Sequence, residues 1–177
     1  MRQPATGGRR LDGRYRGTVV NNVDPMSQGR LLVSVPDALG DDPCLWAESA
    51  SPLAGTQMGI YAVPPIGSGV WVEFQQGDPN DAVWTGGYRG STADVPAMAL
   101  AAPPATPPVV IQSQAQNRII ISSVAGDGIR LETAQGPAGP FIQISPTAGI
   151  VLSDGTGGMV TVSKGVVTVN QGALVVK

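Results

Sequence analysis

The chain has no histidine in 177 residues. That absence removes Ser-His-Asp and Cys-His catalysis, the commonest general base, and the commonest zinc and iron ligand. Lysine occurs only at Lys164 and Lys177, and neither follows the glycine-rich sequence of a phosphate-binding loop. Cys44 is the single cysteine, so an intramolecular disulfide is excluded and a reducing folding compartment is expected. Its expected state is a small buried hydrophobe beside Trp46. No apolar run approaches the roughly 18–20 residues of a membrane span. The opening MRQPATGGRR has no apolar centre, so a Sec-type signal is not expected. Glu48, Glu73 or Glu132 could join an aspartate as a glycosidase pair, but none is followed by the Asp and Thr spacing of lysozymes and there is no helical insert of that size. Glu73 alternates with Trp71 and Val72 as on the solvated face of a strand.

What is abundant is turn-forming residue: 24 glycines and 16 prolines, which disfavours long helices. Net charge is -2, which does not suggest a nucleic-acid partner. The charge is uneven. Five of the eleven basic residues (Arg2, Arg9, Arg10, Arg14, Arg16) fall in the first sixteen positions. Residues 17–100 hold nine acidic side chains against Arg30 and Arg89.

Residues 1–13 read as a flexible basic arm. Strand signals then run through residues 14–90. Thr18-Val19-Val20 leads into the turn Asn21-Asn22-Val23-Asp24-Pro25, and Leu31, Val33 and Val35 alternate until Pro36. Ile60–Val63, Val70–Phe74 and Ala82–Thr85 follow as further strand candidates. Five or six short strands in this span predict a small OB-type barrel, with a β-sandwich as the alternative. Trp46, Trp71 and Trp84 are expected in its core rather than as a base-stacking platform. Residues 91–110, with Pro96, Pro103, Pro104, Pro107 and Pro108, read as a stiff connector with one helical turn near Ala97–Ala102.

Residues 111–177 change to a quasi-repeat of short strands carrying pair-spaced apolar residues. The pairs are Ile119/Ile121, Ile129/Leu131, Ile142/Ile144, Ile150/Leu152, Val160/Val162, Val167/Val169 and Leu174/Val176. Successive pairs begin 10, 13, 8, 10, 7 and 7 residues apart. Side chains two apart on a strand share a face, so the pairs form one narrow apolar stripe. Nothing helical follows to cover it. Three copies closed around one axis, with these fourteen residues as trimer core, would bury the stripe and pair every strand edge with a neighbour. A single-chain β-solenoid is the other solution. Asp78-Pro79-Asn80-Asp81 and Asp154-Gly155-Thr156-Gly157-Gly158 read as turns rather than calcium loops, since neither offers a full ligand set. No cofactor and no metal is expected.

The segments GTVVNNVDPMSQGRLLVSVPD, WAESASPLAGTQMGIYAVPPIGSGVWVEFQQGDPNDAVWTGGYRG and VNQGALVV together resemble the phage baseplate assembly protein V family. These are central spikes of contractile tails, similar to the valine-glycine-repeat spikes of type VI secretion. The resemblance covers residues 14–177. It implies an all-β chain in which an OB barrel precedes an intertwined triple-stranded β-helix, formed by a homotrimer driven into a target envelope by sheath contraction. It also implies a non-enzymatic, structural protein, assembled in the cytoplasm of the producing cell and then held in the baseplate of a phage tail or injection machine. The chain lacks the fused hub of type VI spikes, which implies a separate hub protein, with Arg9, Arg10 and Arg14 as the expected contact. It lacks the lysozyme domain of some phage spikes. It also lacks the histidines that hold an iron ion at self-capped tips. A separate tip protein, of the proline-alanine-alanine-arginine-repeat type, is therefore expected on Leu174, Val175, Val176 and Lys177. The readings left beside this one are an OB-fold nucleic-acid binder with an oligomerising tail and a trimeric glycan-binding fibre.

Overall fold

The computed structural model describes residues 10–40 and 44–176. The chain divides after Gly90 into two compact units.

The first unit contains a closed five-stranded barrel and a separate two-stranded ribbon. Its strands are β1 (Arg14–Asn21), β2 (Leu31–Ser34), β3 (Cys44–Ser49), the ribbon β4 (Ala54–Gly55) and β5 (Met58–Gly59), β6 (Gly69–Phe74) and β7 (Ala82–Tyr88). The barrel order is β1-β2-β3-β7-β6, antiparallel throughout except where Glu48 and Ser49 of β3 pair parallel with Val83 and Trp84 of β7. This is the strand order of an OB barrel. Alternation fixes its inside. Along β6, Val70, Val72 and Phe74 point in, while Trp71 and Glu73 point out. Leu31, Val33, Val35, Val19, Ala47 and Ala82 complete an almost purely aliphatic core, and the one-turn helix α1 (Pro36–Leu39) adds Ala38. Register shifts at Val19/Asn21 and Trp71/Val72 supply the local bends that closure of so small a barrel needs.

Several sequence expectations are corrected here. Residues 10–13 are not a free arm: Leu11 is buried in the barrel core and its amide donates to Gly77 O at 3.1 Å. Residues 1–9 lie outside the described residues. Ile60–Val63 form no strand, because Pro64-Pro65 follow and no neighbouring strand pairs with them. Of the tryptophans only Trp84 packs on the core, its Nε1 donating to Gly29 O at 3.0 Å. Trp46 and Trp71 occupy outward positions of their strands. Trp46 lies under the Arg30 guanidinium at 5.3 Å, and Trp71 packs against Tyr88 at 5.3 Å with Arg16 over both rings. Cys44 is exposed, at the start of β3 on the face opposite Leu45.

The second unit has a 3-10 turn at Thr92–Asp94 and the short helix α2 (Ala97–Ala101), and then forms one eight-stranded antiparallel meander. Its strands are β8 (Val109–Gln112), β9 (Arg118–Ile121), β10 (Ile129–Glu132), β11 (Phe141–Ser145), β12 (Gly149–Ser153), β13 (Met159–Ser163), β14 (Val166–Val169) and β15 (Leu174–Val176). Each strand pairs with the next in sequence, so the chain satisfies its own backbone ladder. Within this sheet only β8 and β15 keep an open edge among the described residues. Val109–Gln112 lies partly inside the segment read as connector, and the sheet begins there rather than at residue 111. Gly149 shows why glycine marks these turns. It sits at φ +79, and a Cβ there would stand 2.2 Å from Val162 O.

Candidate assembly surface on the C-terminal sheet

Antiparallel register converts the pair-spaced residues into two unbroken columns. One runs Ile111, Ile119, Leu131, Ile142, Leu152, Val160, Val169, Leu174. The other runs Val109, Ile121, Ile129, Ile144, Ile150, Val162, Val167, Val176. All fourteen sequence-predicted core positions fall into these columns, and the structure adds Val109 and Ile111 at the β8 end. The side chain of Val176 is outside the described residues.

The face so formed is bare within one chain. Ile144 is 50 % exposed and Leu152 44 % exposed, and most of the column residues stand among the exposed large hydrophobics. An open groove of about 770 Å³ is lined by Ile119, Leu131, Ile142, Leu152 and Val160 of the first column together with their strand neighbours, Arg118, Glu132 and Phe141 among them. Isolated exposed apolar residues need no explanation, but a contiguous apolar face across eight strands marks an interaction surface.

The opposite face carries the polar chemistry. Glu132 has a side chain only 1 % exposed. Its Oε1 accepts from Arg118 Nη2 at 2.6 Å and its Oε2 from Arg130 Nε at 2.5 Å. Register places Arg118 and Phe141 on either side of Glu132. Arg130 lies 3.7 Å over the Phe141 ring and donates from Nη1 to Gln143 Oε1 at 3.0 Å. Phe141, the only aromatic residue after Tyr88, is therefore engaged by this arginine. Sequence reasoning missed the cluster, because its partners come together only when three strands are in register.

The remaining sequence-predicted residues are placed as follows. Arg10 is exposed, 3.8 Å from Asp12. Arg14 pairs with Glu73 directly across β1 and β6 at 2.8 Å, so its charge is balanced within the barrel. Arg9 lies outside the described residues. Leu174 is exposed on β15, Val175 and Val176 are placed by backbone only, and Lys177 lies outside the description. The two acidic turns spend their carboxylates locally. Asp154 accepts from the amides of Thr156, Gly157 and Gly158 at 2.7, 3.1 and 2.9 Å, and these bonds, Thr156 foremost, lower its pKa. Asp78 accepts from the Asn80 amide at 2.9 Å. Among the described residues no group of three His, Cys, Asp or Glu side chains is arranged to hold a metal ion.

One further network shapes the barrel rim. Asp24, with a side chain 2 % exposed, accepts from both Nη2 and Nε of Arg30 on one oxygen, Oδ1, at 2.7 and 3.0 Å, and also accepts from the amides of Met26, Gln28 and Arg30. The Arg30 guanidinium, with those amides, holds the Asp24 carboxyl well below the usual carboxylate range. The turn was legible from Asn21 to Pro25, but its ionic lock was not.

An OB barrel joined to a sheet with one bare apolar face defines an all-β assembly protein whose C-terminal half is built to associate. Comparison with known proteins agrees. Residues 15–88 match the type VI secretion system/phage-baseplate injector OB domain, and residues 108–175 match the phage baseplate V C-terminal trimerisation domain. Together the two matches cover most of the chain, which belongs to the phage baseplate V family of baseplate spike proteins. No curated protein matches it.

Proposed function

We propose that the chain is the central spike of a contractile injection machine, a homotrimer that transmits contraction force to the target envelope. The observation carrying this reading is the two-column apolar face. Three such faces turned toward one axis would close into a triangular, triple-stranded β-helix with a dry interior. The reverse faces, with the Arg118–Glu132–Arg130 cluster, would be its outer walls. A rod of this kind is stiff because every strand but the terminal ones is hydrogen-bonded on both sides. It needs no chemistry, and its transient contact with the envelope is mechanical rather than catalytic.

Two partners belong to the same proposal. The barrel meets a separate hub protein through Arg9 and Arg10, with Arg14 contributing less because Glu73 already balances it. The open edge of β15, with Leu174 beside it, receives a tip protein of the proline-alanine-alanine-arginine-repeat type. Assembly takes place in the cytoplasm of the producing cell, before incorporation into a phage tail or injection-machine baseplate. Cryo-electron tomography of particles from cells with and without the chain tests this. The account expects a three-fold rod at the distal end of the tail, present only with the chain, continuous with hub density above and capped below. Particles with an unchanged distal end in its absence would overturn the assignment.

A further inference from the structure

The barrel carries a second apolar surface that the rod does not explain. The connection from β3 to β6 and the loop from β1 to β2 expose Val23, Met26, Met58, Ile60, Tyr61 and Ile66, each more than half accessible. These residues lie on linked segments. Asn22 Nδ2 donates to Pro64 O at 3.0 Å, and the Tyr61 ring sits 3.2 Å from where a Gly29 Cβ would stand. Ile60 is fixed to the ribbon by its amide, which donates to Leu53 O at 3.0 Å. The Asp24–Arg30 network holds the intervening turn. The surface is therefore apolar and already ordered, which keeps the entropy cost of covering it low.

Its charge pattern distinguishes the occupant. From Ser49 to Val72 no residue is charged, although residues 10–90 carry nine acidic side chains against five basic ones. A partner of opposite charge would be met by the acidic surface. Two identical acidic barrels repel, and they approach most favourably through a charge-free patch. The trimerisation domain further along the chain tethers three barrels within one particle, so a modest contact is saturated at the millimolar effective concentrations that short tethers provide.

We propose that this rim packs against the barrel of a second copy, giving the trimer a barrel–barrel interface in addition to the rod. The inference rests on the trimeric reading above and adds the surface. Photo-crosslinking of the full chain tests it, with benzoylphenylalanine at Met58 in trimers assembled from mixed nitrogen-15-labelled and unlabelled chains. Light scattering first establishes the oligomer. In a confirmed trimer the expected product joins labelled to unlabelled chain within residues 10–90. The added substitution Ile60→Asp should abolish that product while leaving the trimer intact. Crosslinks confined to one chain, or no crosslink in a confirmed trimer, would overturn the barrel interface alone. A monomer would overturn the trimeric reading with it.

Discussion

Ile144→Asp gives the sharpest test of the apolar face. Ile144 stands mid-column, directly between Ile129 on β10 and Ile150 on β12, and is half exposed in the single chain. Full burial of such a side chain contributes about 1.5–3 kcal/mol, so its accessible half represents roughly 1 kcal/mol per copy in the assembly. The substitution removes that and places a carboxylate in a dry site, where the effective penalty is several kcal/mol per ion. Three copies meet in one layer, so the trimer loses on the order of 10 kcal/mol or more. The sign with pH follows. Burial and the like charges raise the carboxyl pKa in the assembly, so the penalty is present at neutral pH and is relieved as pH falls through that raised value. Sedimentation of Ile144→Asp should show monomer at neutral pH with partial recovery of larger species in mild acid, while Thr168→Ala on the reverse face should stay within about 0.5 kcal/mol of the parent. An Ile144→Asp protein that sediments like the parent at neutral pH would refute the reasoning.

Three further outcomes are expected. Glu132→Ala leaves Arg118 and Arg130 without their shared carboxylate, and chemical denaturation should report a loss of about 3–5 kcal/mol. The depressed Asp24 carboxyl makes a stabilising contribution that is complete above its ordinary value of 3.8 and shrinks as pH falls from there toward the lower folded value. Acid unfolding of Asp24→Ala, followed by tryptophan fluorescence, should therefore show a lower starting stability and a weaker pH dependence. Gly149→Ala forces a Cβ against Val162 O at a positive φ, and a thermal melt should show destabilisation well beyond about 1 kcal/mol.

The C-terminal sheet was legible because period-two alternation survives any tertiary context that buries one face. Ile119/Ile121 through Leu174/Val176 needed only the strand geometry to fall into columns. Val109 and Ile111 were hidden by Pro107-Pro108, which read as connector although the strand starts immediately after them. Ile60–Val63 misled for the opposite reason: four apolar residues resemble a strand, but only a partner makes one, and none pairs there. Trp46 and Trp71 are expected in the core because an acidic barrel without a basic groove offers no base-stacking platform, whereas register puts them outward under arginines. The buried Glu132 cluster and the Asp24–Arg30 lock depend on side chains that meet through folding, 14 and 6 residues apart in sequence, and no local pattern announces them.

The central claim is that the bare face of β8–β15 is closed by two further copies of the same chain. Light scattering coupled to size exclusion, on the full-length protein across micromolar dilutions, measures this directly. The account predicts a particle of three chains of 18.1 kDa each, with no folded monomer at any dilution. A well-folded monomer at micromolar concentration, with its β-sheet signal intact, would contradict it.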